Sequence, residues 1–110
     1  MKSKINVIGM EQEINQIAEN FFIYKGFSVT QDINDTIDSI AMVVERSCFQ
    51  KAKIKVDIPV IIVDRKEVYD NNKWKSIWKQ IGVKLAETTV WMQTVFLFNT
   101  LLSFSLLAQL

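Results

Sequence analysis

The chain has 110 residues, with 13 Lys and Arg against 12 Asp and Glu, for a formal net charge of +1 at neutral pH. That length allows one domain, and a balance so close to zero argues against a nucleic-acid binder held by bulk charge. There is no His and only one Cys, Cys48. Ser-His and Cys-His nucleophile pairs, His-ligated zinc, an internal disulfide and a multi-Cys metal site are therefore excluded. Cys48 reads as a small apolar residue in a reducing compartment. The start, MKSKINVIGMEQE, has no apolar run of signal-peptide length, so no secretory leader is expected.

In chain order, Ile5, Val7 and Ile8 predict a small edge strand or a lead-in within 1–9. Met10, Ile14, Ile17, Ala18, Phe21 and Phe22 fall at helical spacing and predict a helix over 10–25. Glu11 and Glu13 suit the positive end of its dipole, and Gly26 supplies the stop. Phe27 to Thr30 alternates and predicts a short strand. Residues 31–53 admit two readings. Ile33, Ile37, Ile40, Val44 and Cys48 form a helical stripe that Asp32 can cap, whereas Ile37 to Val44 also fits a strand buried on both faces. The near absence of breakers from Asp32 to Val44 favours the helix.

Lys53 to Asp64 (KIKVDIPVIIVD) predicts a strand, alternating at first and then continuously apolar. Pro59 cannot donate to a ladder and marks a strand start, a bulge or an edge. Asp70-Asn71-Asn72 is turn-like and offers a helix cap. A second helix over 73–85 carries Trp74, Ile77, Trp78, Ile81 and Leu85 on one stripe, with Lys73, Lys75, Lys79 and Lys84 around it. Two roles fit this helix equally: lying at a water–lipid boundary, or packing its Trp stripe on the strand of the head. Gly82 is the natural place for a bend.

Residues 88–110 (TTVWMQTVFLFNTLLSFSLLAQL) contain no charge, no Gly and no Pro. As a helix they would be about 35 Å long, against a hydrocarbon core of roughly 30 Å. Their Thr, Ser, Asn and Gln residues spread around the whole wheel, so there is no polar face. We read the segment as a membrane span, the alternative being the shared core of a soluble oligomer. Residues 1–45 hold three Lys and seven acids, whereas 46–87 hold ten basic and five acidic residues. The basic half adjoins the span, which places the head on the cytoplasmic side of the membrane. Polar side chains in lipid seek partners on neighbouring helices. The membrane- and partner-binding candidates are accordingly Trp74, Trp78, Lys75, Lys79, Trp91, Gln93 and Asn99.

The organisation expected is a small α/β (α+β) head over 1–72, a basic amphipathic helix over 73–87, and a C-terminal transmembrane helix over 88–110. The expected function is a membrane-anchored accessory or partner-tethering protein. It would have no catalysis and no cofactor of its own, and its partners would be the membrane and other membrane-protein helices or itself.

One further pattern concerns chemistry. The order IAENFFIYKGFSV, IDSIA and PVIIVDRK resembles the core of the PD-(D/E)xK nuclease superfamily, the restriction-endonuclease-like fold, over residues 13–66. The resemblance implies a Mg²⁺-dependent nuclease acting on nucleic acid. Asp38 and Asp64 would be the metal ligands, Lys66 would polarise the attacked phosphate or the water, and Glu19 would be an accessory acid. It also implies a strand, not a helix, over Ile37 to Val44. No Gly-rich phosphate loop is present, because Gly9, Gly26 and Gly82 lie far apart.

Overall fold

The computed structural model describes residues 2–87. Four strands and three helices follow along them: β1 (Lys4–Ile8), α1 (Gln12–Ile23), β2 (Ser28–Thr30), β3 (Ser39–Glu45), α2 (Arg46–Ala52), β4 (Val60–Val63) and α3 (71–87). The strands form one sheet in the order β2-β1-β3-β4, and every neighbouring pair is parallel. The head is therefore α/β, as expected. Among the described residues, no helix is long and apolar enough to cross a membrane. The expected span over 88–110, with Trp91, Gln93 and Asn99, lies outside the described residues.

A parallel sheet is covered on both faces, which makes its inner strands continuous apolar runs. This explains the first correction to the sequence reading. Residues 39–45 form β3, an inner strand buried on both faces, and not the favoured helix. A strand covered on both sides shows no alternation, so its apolar residues also fit a helical stripe. Helix begins only at Arg46, where the Glu45 side chain accepts the Cys48 N–H at 2.9 Å and caps α2.

The second correction concerns β1, which lies inside the sheet between β2 and β3 and is not an edge strand. The third concerns residues 53–64, of which only Val60 to Val63 are strand. Lys53 takes the left-handed conformation (φ 48°) that ends α2. Ile54, Val56 and Ile58 then alternate as a connector packed against the sheet. Pro59 stands just before β4, where its missing N–H costs nothing, and its carbonyl accepts the Met42 N–H at 2.9 Å.

Alternate residues of β1 face opposite sides. Ile5 and Val7 join Ala41, Val43, Ile61 and Val63 under α1 (Ile14, Ala18, Phe22) and α3 (Trp74, Ile77, Ile81). Ile8 joins Met42 and Val44 on the other face, covered by Cys48 and Phe49 of α2 and by Ile33, Ile54 and Ile58 of the connectors. The Trp74 ring meets Phe22 edge-to-face, with centroids 5.7 Å apart and planes at 87°. Its indole N–H donates to the Val68 carbonyl at 2.7 Å. Between the two roles left open for α3, the structure selects packing. Trp74 is wholly buried in the head and Trp78 half-buried against Phe22 and Phe27. Helix continues through Gly82.

Beneath the connector from β2 to β3 lies a small polar network. Asn6, fully buried on β1, donates from Nδ2 to the Asp32 carbonyl at 3.1 Å. The buried Ser39 hydroxyl lies within reach of both Asn6 Oδ1 and the Asp35 carbonyl, and its one proton serves one of them at a time. Lys4 Nζ pairs with Asp35 Oδ2 at 2.9 Å. These contacts satisfy backbone groups of residues 31–38, which cross β1 without forming a helix.

Candidate functional site at the carboxyl edge of the sheet

In open parallel sheets, ligands bind outside the carboxyl ends of the strands, where neighbouring connections leave in opposite directions. Here that point lies between β1 and β3. From β1 the chain enters α1 on one face and goes to β2; from β3 it enters α2 on the other face and goes to β4. At this edge an open groove of about 820 Å³ is lined by Glu11 and Glu45, by Asp64 to Glu67, and by Tyr69. Each comes from the residues just beyond a strand: Glu11 after β1, Glu45 at the end of β3, and the others after β4.

Gly9, which follows β1 with φ +80°, sits against Glu45 and Cys48 at this edge. A Cβ there would lie 2.8 Å from Cys48 Cβ and 3.2 Å from Glu45 Cβ. The absence of a side chain lets the start of α2 close against the end of β1.

The charges around the groove are largely paired. Tyr69 donates its hydroxyl to Glu11 Oε2 at 2.6 Å, and Arg65 approaches Glu11 Oε1 at 3.4 Å. Arg46 Nε donates to Asp64 Oδ1 at 3.0 Å. Lys73 pairs with Glu67 at 3.2 Å. Glu45 accepts from the Ser47 hydroxyl and the Cys48 N–H. These bonds, chiefly the one from Ser47, hold its carboxyl down at about 2, against an ordinary 4.5. Hydrogen bonding to Glu11 pushes the Tyr69 phenol up, and the bond to Asp64 raises the Arg46 guanidinium. All three shifts carry their groups further from neutrality, the opposite of what a general acid or base working at neutral pH requires.

The structure does not bring the metal-ligand pair together. Asp38 precedes β3 at the amino edge of the sheet. Asp64 follows β4 at the carboxyl edge, one step beyond Val63, which is in register with Glu45. The seven residues of β3 separate the two levels, a rise of about 26 Å. Asp38 and Asp64 therefore share no cation, which corrects the metal assignment. Lys66 lines the groove beside Asp64. Glu19 lies on α1, in a separate groove with Ser3 and Val29. Among the described residues, no cluster of three or more His, Cys, Asp or Glu side chains forms a metal site.

Of the membrane- and partner-binding candidates, Lys75 and Lys79 are exposed on α3. Trp74 is enclosed by its own head and is unavailable to a partner or a lipid. Sequence reasoning missed Glu11, Arg65, Tyr69 and Glu45 as a group, because they converge only once the strand order is known. The one local signal was Glu45-Arg46-Ser47-Cys48, an acid placed to cap the helix that follows. Comparison with known proteins gives no match: no family model, no curated protein and no solved structure is similar to the chain.

Proposed function

We propose that this chain is a small α/β head, without catalysis of its own, that holds a partner at a membrane, with residues 88–110 as the anchor and the head on the cytoplasmic side. The observation that carries this reading is how α3 uses its apolar stripe. Trp74, Ile77 and Ile81 are already spent in the core of the head. The uncharged stretch that follows Glu87 is thus apolar sequence in addition to a core the described residues supply. Apolar length of that kind suits lipid. The carboxyl-edge groove supports the partner-holding half of the proposal. Its paired charges favour recognition, and it lies at the end of the sheet away from Glu87, which lines a groove with Lys2, Ile40 and Pro59 at the amino edge.

The test is extraction of membranes carrying the full chain. Retention in the bilayer after alkaline carbonate, lost when Leu97 and Leu102 are replaced by Arg, is the expected result. Recovery of the unmodified chain in the soluble fraction as a defined oligomer, without detergent, would replace the anchor with a shared protein core. For the groove, Arg65→Glu together with Arg46→Glu should leave extraction unchanged and release co-purifying proteins.

A further inference from the structure

We propose that the groove between α1 and the first turns of α3 docks an acidic segment of a partner protein, seated by an apolar side chain. The inference rests on the partner-holding reading above. It adds a contact surface and the chemistry of the segment that fills it.

Along α1 and its carboxyl end, Ile17, Asn20, Phe21 and Tyr24 are three or four residues apart and share one side of the helix. Lys25 adjoins them, and across from it α3 contributes Asn71 and Lys75, one turn apart. These residues line one open groove of about 510 Å³. Ile17 and Phe21 are half-buried against the core, whereas Tyr24 is 90% exposed.

Charge sets this groove apart. The groove beside β2 holds Glu19, the one at the amino edge holds Asp57 and Glu87, and the carboxyl edge is rich in carboxylates. Here the lining has two lysines and no carboxylate. Among the described residues, ion pairs engage Lys4, Arg46, Arg65 and Lys73, so Lys25 and Lys75 are both without an acidic partner. The Lys25 ammonium is held over the Phe21 and Trp78 rings, 5.6 and 6.0 Å from their centroids, which keeps it beside the apolar lining. Asn20 Oδ1 already accepts from Gln16 at 3.1 Å, leaving its N–H groups to donate. Of the acids nearby in sequence, Asp70 is committed to the Asn72 N–H at 2.9 Å, and Glu13 stands one turn before Ile17, outside the lining.

Cations and donors around an apolar strip call for negatively charged acceptors on either side of an apolar anchor. A Leu or aromatic side chain over Ile17 and Phe21, with Asp or Glu reaching Lys25 and Lys75, meets both demands. A nucleic-acid strand fits less well, because a phosphate backbone is held by a track of cations rather than by two.

The test uses two short helical peptides of one design, with Leu on one face flanked by Glu, or by Lys at every Glu position. The full chain, in non-ionic detergent, carries photoreactive benzoylphenylalanine in place of Tyr24 or, as the reference, of the exposed Ile37 between β2 and β3. The Glu peptide should crosslink several-fold more at position 24 than at 37, and the Lys peptide no more at one than at the other. Lys25→Glu with Lys75→Glu should reverse the preference between the peptides at position 24. Lys75→Glu alone, which spares the contacts of Lys25 with the rings, should weaken Glu-peptide crosslinking, and near-ultraviolet circular dichroism from the buried Trp74 checks the fold of both variants. Equal crosslinking of the Glu peptide at the two positions, or a preference that survives the reversal, overturns the inference. Tighter binding of oligothymidylate than of the Glu peptide overturns it in favour of single-stranded nucleic acid. If the unmodified chain brings down no protein from solubilised membranes, the partner-holding reading falls and this inference with it. If it brings down protein but crosslinking does not follow the two lysines, this inference alone falls.

Discussion

A side chain at Gly9 would place its Cβ 2.8 Å from the Cβ of Cys48, at a backbone φ of +80°. Two penalties meet at this residue, one conformational and one steric. An L-residue in the left-handed region costs roughly 1–2 kcal/mol, and the contact forces α2 away from β1. Gly9→Ala should therefore lower stability by at least that amount in urea denaturation. Gly26→Ala, with open space around it, should show the conformational part alone. Equal losses at the two positions would mean that the packing of α2 on β1 is looser than described.

Trp74 joins α1, α3 and the loop after β4. Trp74→Ala should cost about 3–5 kcal/mol, a large share of the stability of a domain this small. Trp74→Phe keeps a ring against Phe22 but leaves the Val68 carbonyl without its donor, a loss of about 1–3 kcal/mol. Thermal melts of the full chain in detergent measure both. The order expected is wild type, Phe, then Ala.

Glu45 gives the head an acid-sensitive element. Its folded pKa is depressed to about 2 from 4.5, so the stability it contributes is present above the unfolded value. That contribution is lost as pH falls through the interval from 4.5 to about 2. Glu45→Gln should lower Tm at neutral pH and flatten the dependence of Tm on pH within that interval. A parallel offset, with the acid limb unchanged, would show that Glu45 does not cap α2.

Asn15 is buried, its Nδ2 reaches the Met10 carbonyl only at 3.5 Å, and its Oδ1 has no partner among the described residues. An apolar replacement of similar size relieves that oxygen. Asn15→Leu is expected to be neutral or to stabilise by up to about 1 kcal/mol. A loss greater than that would reveal a partner for the amide beyond the described residues.

Asp38 and Asp64 should behave independently. In a double-mutant cycle Asp38→Ala and Asp64→Ala should be additive to within about 0.5 kcal/mol, each costing little, as exposed carboxylates do. Added Mg²⁺ should leave Tm unchanged. Coupling between them that appears only with Mg²⁺ would restore the shared-metal arrangement.

What could be read from residues alone followed the strength of each local signal. Helix α1 was legible because Ile14, Ala18 and Phe22 recur on one face and Gly26 ends it. Helix α3 was legible for the same reason, although the burial of Trp74 was not, since a stripe facing a core and one facing lipid share a period. Strand β3 was obscured by its own environment: covered on both faces, Ala41 to Val44 lost the alternation that marks a strand. The inner position of β1 depended on pairings with β2 and β3 that no local pattern carries. Glu11 and Tyr69, 58 residues apart, became neighbours only through the strand order. The pairing of Asp38 with Asp64 failed for a related reason, since parallel strands put the start of one and the end of the next at opposite edges.

The sheet's outer strands have a bearing on behaviour at high concentration. β2 is three residues long and β4 four, and at the rim of β4 the Lys84 ammonium already occupies the Val60 carbonyl at 3.2 Å. A second molecule seeking to extend the ladder finds few free backbone groups and a cation in its way. Copies crowded together are thus discouraged from zipping up edge to edge into fibrils.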